Sequence, residues 1–212
     1  MKPDLEMEIK VLEINKSELE LALLAVEATK KYETTMMIIS YDFFVAPNTA
    51  NVSQDIKEVV LAAYEFYRVK GSLRSNNAHL RLRTFTHTNK IEFTFKHNID
   101  ETDEGELKRA HEYNAYLSED EAEYLKKHVR QLGMKEVAVH EKHRASWRLS
   151  DGCICDIDTY PGIPTFVELE GSEAQINRAV GLLKLTDYSK TQDSGAHFFA
   201  GYNQEFYSKL LF

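Results

Sequence analysis

The sequence predicts an α+β fold in which an antiparallel sheet is closed, or nearly closed, into a barrel with helices packed outside. Three features lead to it. Segments alternate strictly between apolar and charged residues, helix-starting signals lie between those segments, and charges of both signs collect on one strand face.

The first alternating segment is Leu5-Glu6-Met7-Glu8-Ile9-Lys10-Val11. When extended it directs Glu6, Glu8 and Lys10 to one side, because successive side chains on a strand point to opposite faces. The pattern returns in Leu80-Arg81-Leu82-Arg83, in Ile91-Glu92-Phe93-Thr94-Phe95-Lys96, from Ile154 to Asp158, and in Phe166-Val167-Glu168-Leu169-Glu170. Met36 to Val45 is a nearly continuous apolar run and reads as a buried strand. Helices are expected where a Ser is followed three residues later by Glu or Gln, since the two side chains satisfy open amides of a first turn. Ser17 with Glu20, Ser118 with Glu121 and Ser172 with Gln175 have this spacing. From Ser53 to Lys70, the positions of Val59, Val60, Ala63 and Phe66 fit one helix face. Pro47-Asn48 and Pro161-Gly162 mark turns, and residues 98–106 read as an acidic exposed loop. No repeat or linker divides the chain, so residues 1–212 are expected to form a single domain.

With 43% hydrophobic and 28% charged residues over 212 positions, one substantial core can be buried. The formal net charge of −8 has the wrong sign for coating a nucleic-acid backbone, so no nucleic-acid partner is expected. Any phosphate site must then be a local concentration of Lys and Arg. No apolar run approaches the roughly 20 residues of a membrane helix, and Met1-Lys2-Pro3-Asp4 opens with charges, which argues for no membrane and a cytoplasmic location. Cys153 and Cys155 share a strand face, are poorly placed to bridge each other, and read as buried free thiols. P-loop and glycine-rich dinucleotide motifs are absent. His140 and His143 would face opposite sides of a strand and make no zinc pair, and Trp147 reads as a core or barrel-wall residue.

An isolated alternating strand ordinarily keeps its charged side in water. Helices packed on this sheet need its apolar face, so the charged sides share the opposite face, and closure puts them in a lumen. A barrel of about eight strands has room inside for side chains or one small ligand, and charges desolvated there must pair or hold a ligand. Glu6, Glu8, Asp156, Asp158, Glu168 and Glu170 are set against Lys10, Arg81, Arg83, Lys96, Lys142, Arg144 and Arg148. The Arg81/Arg83 and Lys142/Arg144 spacings deliver cations about 6.6 Å apart, a separation suited to consecutive phosphoryl groups. The carboxylates are hard donors of the kind Mg²⁺ prefers, so a polyphosphate with a divalent metal satisfies both sets.

Glu6-Met7-Glu8-Ile9-Lys10 resembles the E-x-E-x-K signature of the CYTH superfamily, the triphosphate tunnel metalloenzymes. Members include class IV adenylyl cyclases, thiamine triphosphatases and inorganic triphosphatases. Other elements similar to the family's follow in order: Leu80-Arg81-Leu82-Arg83, Phe95-Lys96, Lys142-His143-Arg144 ahead of Trp147, and the stretch from Asp158 through Pro161-Gly162-Ile163-Pro164 to Phe166-Val167-Glu168-Leu169-Glu170. The resemblance spans nearly the whole chain. Pro164 stands where the family usually has a second Gly, Tyr67-Arg68-Val69 replaces its Tyr-Asp-Thr, and residues 45–75 look like an insertion. These departures bear on the substrate entrance more than on the phosphate site.

The resemblance implies an antiparallel tunnel holding metal and triphosphate together. It implies Glu6, Glu8, Asp158, Glu168 and Glu170 as the residues for Mg²⁺ or Mn²⁺, with Glu8 and Glu170 acting through water. The implied triphosphate cradle is Lys10, Arg81, Arg83, Lys96, Lys142 and Arg144, joined by Arg148 from the same strand face, and Glu112 corresponds loosely to a further lumen carboxylate. The leading activity is metal-dependent hydrolysis of a triphosphate compound, inorganic or organic such as thiamine triphosphate. Glu6, Glu8 and Lys10 form its catalytic set, with Lys10 positioning or deprotonating the attacking water. Two other readings stand beside it: a class IV adenylyl cyclase converting ATP to cyclic AMP and pyrophosphate, and a non-catalytic polyphosphate- or nucleotide-binding module. The expected partner is a triphosphate-containing small molecule, and the oligomeric state stays open, a homodimer included.

Overall fold

The alternating segments become the staves of a closed barrel. The computed structural model describes residues 2–73, 78–99, 107–191, 195–202 and 209–212. Its main strands are β1 (Asp4–Val11), β2 (Thr29–Phe43), β3 (Ala78–Phe85), β4 (Ile91–Asn98), β5 (Lys108–Leu117), β6 (Met134–Arg148), β7 (Ile154–Thr159) and β8 (Phe166–Glu170). They run β6-β2-β3-β4-β5-β1-β8-β7, and β7 pairs back onto β6 to close the ring. Each neighbour in this ring is antiparallel. The short β9 (Lys190–Thr191) pairs with β1, and β10 (Lys209–Leu210) runs parallel to β6.

Among the described residues, five helices lie outside: α1 (Lys16–Ala25), α2 (Gln54–Lys70), α3 (Glu119–His128), α4 (Glu173–Leu182) and the six-residue α5 (Gly195–Ala200). Both capping boxes expected at Ser118 and Ser172 form. At α1 the expected Ser17–Glu20 box is replaced by Asn15, whose side-chain oxygen accepts from the Ser17 and Glu18 amides. Asn caps a helix as well as Ser does, and its earlier position starts the helix before Ser17 can. The segment that looked like an insertion contains α2, which lies on the outer faces of β4 and β5 and ends at Gly71 in the left-handed region, φ 77°. Of the acidic loop expected at 98–106, residues 100–106 lie outside the described residues.

The apolar core is a shell around the barrel. Under α2 and α3 sit Tyr41, Phe43, Leu80, Leu82, Phe93 and Phe95. Under α1 and α4 sit Ile9, Val11, Trp147, Ile157, Val167 and Leu169 with the buried free thiols Cys153 and Cys155. Burying one such large side chain contributes roughly 1.5–3 kcal/mol, so the shell holds the charged faces inward. The apolar run of β2 has its own reason. Tyr41 and Phe43 face the shell, whereas Met36 and Ile38 cluster with Phe85 and partly buried Tyr160 inside the ring. Both faces of that strand are apolar because part of the lumen wall is. Among the described residues no helix is long and apolar enough to cross a membrane.

Candidate functional site

Shared strand parity and the observed register bring the charged residues together. Glu8 on β1 lies opposite Glu170 on one side and Lys108 on the other, while Lys10 faces Glu168. Lys96 lies opposite Glu112, Arg83 opposite Glu92, Arg144 opposite Asp158, and Asp156 opposite Glu168. A cavity of about 520 Å³ runs through the ring. It is lined by Glu6, Glu8, Lys10, Arg81, Arg83, Lys96, Lys142, Arg144, Arg148, Glu168 and Glu170, all of them expected, and also by Glu112. Asp158 is not on its surface: it is fully buried behind Lys142 and Arg144.

The charges sort into three groups. Glu8 receives Lys10 at 3.3 Å, Lys96 at 2.9 Å and Lys108 at 2.9 Å. Arg144 donates from Nε to Asp158 Oδ1 at 2.7 Å and from Nη2 to Asp158 Oδ2 at 2.6 Å and Glu168 Oε2 at 2.5 Å; its Nη1 pairs with Asp156. Arg83 donates to Glu92 at 3.0 Å and to Thr94 at 3.3 Å, and Arg81 lies 3.5 Å from Glu112.

These neighbours set protonation. Burial alone would raise the Glu8 carboxyl, but Lys10, Lys108 and Lys96 together hold it well below the ordinary range. Burial works to lower Lys10, yet Glu8 and Glu168 outweigh it and keep that ammonium charged. The lysine that is pulled down, to about 8, is Lys108, by burial with Lys96 and Lys10 nearby and only Glu8 opposing. Deprotonating water would need a lysine lowered toward neutrality, and Lys10 is not one, because it has two carboxylates within 3.3 Å. Glu170 is pushed well above its ordinary value, first by burial and then by Glu6 and Asp156, and Glu6 is raised by burial against the pull of Lys96.

The donor atoms suit a divalent cation on one side and phosphate on the other. Oxygens of Glu6, Glu8 and Glu170 lie within 4.8 Å of one another, a crowding that adds to the effect of burial on Glu170 and that a hard cation would relieve. Asp156 Oδ1 is buried without a hydrogen-bond donor, while Arg81 Nε and Arg83 Nε are buried donors without an acceptor. Of the five expected metal residues, Glu6, Glu8 and Glu170 converge, whereas Glu168 and Asp158 are engaged by Arg144.

The sequence matches the CYTH domain over residues 4–186. The chain belongs to the CYTH domain family. Solved structures give the same fold at low identity. A conserved hypothetical protein from Pyrococcus furiosus is 19% identical, with 87% of this chain and 94% of that one covered and a TM-score of 0.59. A candidate adenylyl cyclase from Hippeastrum, described as having a dominant triphosphatase activity, is 16% identical over 92% of this chain and 95% of that one, TM-score 0.58. A candidate adenylate cyclase from Vibrio parahaemolyticus is 12% identical over 93% and 98%, TM-score 0.62. No match was found among curated proteins.

In this CYTH domain, several lumen residues escaped the sequence reading as site members, Lys31, Tyr32, His87 and Lys90 at the rim and Lys108, Glu92 and His79 deeper in. Lys108 is buried against Glu8 at 2.9 Å beside Lys10 and Lys96, Glu92 takes up Arg83, and His79 lines the cavity with its pKa held well below the usual range by burial and then by Lys108 and Arg81. Along the inward face of β5 (Lys108, Ala110, Glu112 and Asn114), polar residues at three of four positions were a weak signal, interrupted by Ala110. The outward Arg109 and His111 mask it.

The two ends of the cavity differ. At one end Phe198 and Phe199 of α5 cluster with Phe166, Ile163 and Tyr160, and His140 stacks on Phe199 at 5.1 Å. Phe198, Phe199 and His140 are each no more than 5% exposed. The other end carries the exposed residues Lys31, His87, Thr88, Lys90 and Arg148 on its rim.

Proposed function

We propose that this CYTH domain hydrolyses the terminal phosphoanhydride of a triphosphate compound inside the barrel. One observation carries the reading. Among the described residues, ten lysines and arginines and seven carboxylates line a single cavity, with guanidinium donors and a carboxylate oxygen left unmatched. An excess of cations over acids accepts an anionic ligand, and the unmatched acidic oxygens accept a cation with it.

On binding, the lumen exchanges partners. Arg81, Arg83, Lys96, Lys142 and Arg144 turn from carboxylates to phosphate oxygens, joined by exposed Arg148 at the rim, and the planar Arg fork is well shaped for them. Glu6, Glu8 and Glu170, with Asp156 and Glu168 beside them, are the residues that would hold Mg²⁺ or Mn²⁺. When bound, the ion neutralises charge developing on the transferred phosphoryl group. Lys10, kept charged by Glu8 and Glu168, orients the attacking water or an equatorial oxygen rather than removing a proton. The surrounding shell excludes bulk water, so these charges act at low dielectric.

The test is incubation of the protein with Mn²⁺ or Mg²⁺ and tripolyphosphate, thiamine triphosphate or ATP, with phosphate, pyrophosphate and cyclic AMP assayed separately. Orthophosphate without cyclic AMP is expected. Cyclic AMP with pyrophosphate would assign the lumen to cyclisation instead, and binding without turnover would make it a carrier site.

A further inference from the structure

At the open rim the lumen wall changes from charges to rings. Tyr32 on β2 and His87, two residues past the end of β3, both line the cavity and stack at 4.8 Å between centroids with 17° between planes. Phe85 meets His87 edge-on at 6.4 Å, and Met36, Ile38 and Phe85 carry the apolar surface inward.

The pair is held in place by backbone. A register shift between Lys30 and Tyr32 inserts an extra residue in β2 against β6, so that Lys30 lies opposite Trp147 while Tyr32 lies opposite Ser146. Lys31 and Tyr32 both reach the cavity as a result, the re-aiming that a bulge makes. The turn carrying His87 is tied to β2: the Thr86 amide donates to Thr35 O at 3.1 Å, and the His87 amide donates to Thr34 Oγ1 at 3.4 Å. Thr34 in turn lies opposite Arg144. One lumen step along a strand is about 6.6 Å, so the stacked rings sit about one phosphate spacing outward from the Arg144 level.

A ligand made only of phosphate has no use for this surface. A half-exposed stack with apolar residues behind it and Lys31, Lys90 and Arg148 around it fits a flat ring carried on an anion. We propose that Tyr32 and His87 form a binding platform for the heteroaromatic ring of an organic triphosphate, so that the substrate is a nucleoside triphosphate or another ring-bearing triphosphate ester. The ring stays at the rim and the phosphate chain threads inward past Arg83 and Arg144. This rests on the triphosphate reading of the lumen.

Calorimetric titration of the whole protein with ATP, thiamine triphosphate and tripolyphosphate tests it, in wild type and in Tyr32→Ala, His87→Ala and Tyr32→Phe, with thermal melts confirming that each variant folds. Expected is a loss of about tenfold in affinity for one or both ring-bearing ligands in the two alanine variants, the size of a lost base–aromatic stack. Tripolyphosphate affinity should stay unchanged, and Tyr32→Phe should bind like wild type. Equal losses for all three ligands, or no loss for any, would overturn the ring platform and leave the triphosphate reading standing. Failure of wild type to bind any of the three would overturn both.

Discussion

Replacing Arg144 by Ala removes one guanidinium from three carboxylates, and the cost can be worked from its contacts. Arg144 is 8% exposed and makes four close contacts, two to Asp158 and one each to Asp156 and Glu168. Without it, Lys142 at 2.7 Å from Asp158 and Lys10 at 3.3 Å from Glu168 remain against three acids. Breaking a buried ion pair by deleting one partner costs about 3–5 kcal/mol, because the other charge is left uncompensated. In a chain of this size each kcal/mol shifts the melting temperature by about 2–4 °C, so the ligand-free variant should melt about 10 °C lower at pH 7. The pH dependence has a definite sign. Burial raises Glu168 but Lys10, Lys142 and Arg144 hold it well below its ordinary value, so its contribution is present above its unfolded pKa of about 4.5 and lost as pH falls. Arg144→Ala forfeits part of that contribution, and its deficit should be largest at neutral pH and shrink below about pH 4.5. Scanning calorimetry at pH 7, 5.5 and 4 reads this out. A drop of less than about 2 °C at pH 7, or a deficit that does not change with pH, would refute the account of Arg144 as the counter-ion of this group.

Glu170→Gln should act in the opposite direction. Burial, Glu6 and Asp156 raise its carboxyl, so ionising it costs stability above its unfolded pKa, and the ligand-free variant should melt about 3 °C higher at pH 7, with the gain vanishing below about pH 4.5 in the same scans. Glu6→Gln, Glu8→Gln and Glu168→Gln should each abolish Mn²⁺-dependent phosphate release while tripolyphosphate still binds in calorimetric titration; near-normal activity in all three would remove them from the metal site. Gly133→Ala should lower stability by about 2 kcal/mol or more in chemical denaturation, since a Cβ there falls 2.4 Å from Val45 O and Gly133 sits at φ +70°.

Much of the barrel was legible because its helices demand a one-sided sheet. Once Ile9, Leu82, Phe95 and Val167 go outward, parity sends Glu8, Arg83, Lys96 and Glu168 inward without knowledge of register. Parity is silent on partners. That Lys108 sits across from Glu8, 100 residues earlier, depends on how β5 slides along β1, which no local pattern encodes. β2 is the buried strand its apolar run predicts, but which of its faces looks into the lumen was not legible, because alternation disappears when both faces of a strand are apolar. The α1 cap was misplaced because Asn15 and Ser17 compete for the same amides and the earlier residue reaches them.

Phe198 and Phe199 pack with Phe166, Ile163 and Tyr160 at one end of the cavity, while exposed Lys31, His87, Thr88, Lys90 and Arg148 ring the other. On the proposed reading, a triphosphate entering phosphate-first from that rim would present its terminal group toward the aromatic end, and after cleavage the small fragment would stand behind the larger one. Turnover would then depend on how firmly the rim grips its product, a quantity separate from the strength of the cradle within.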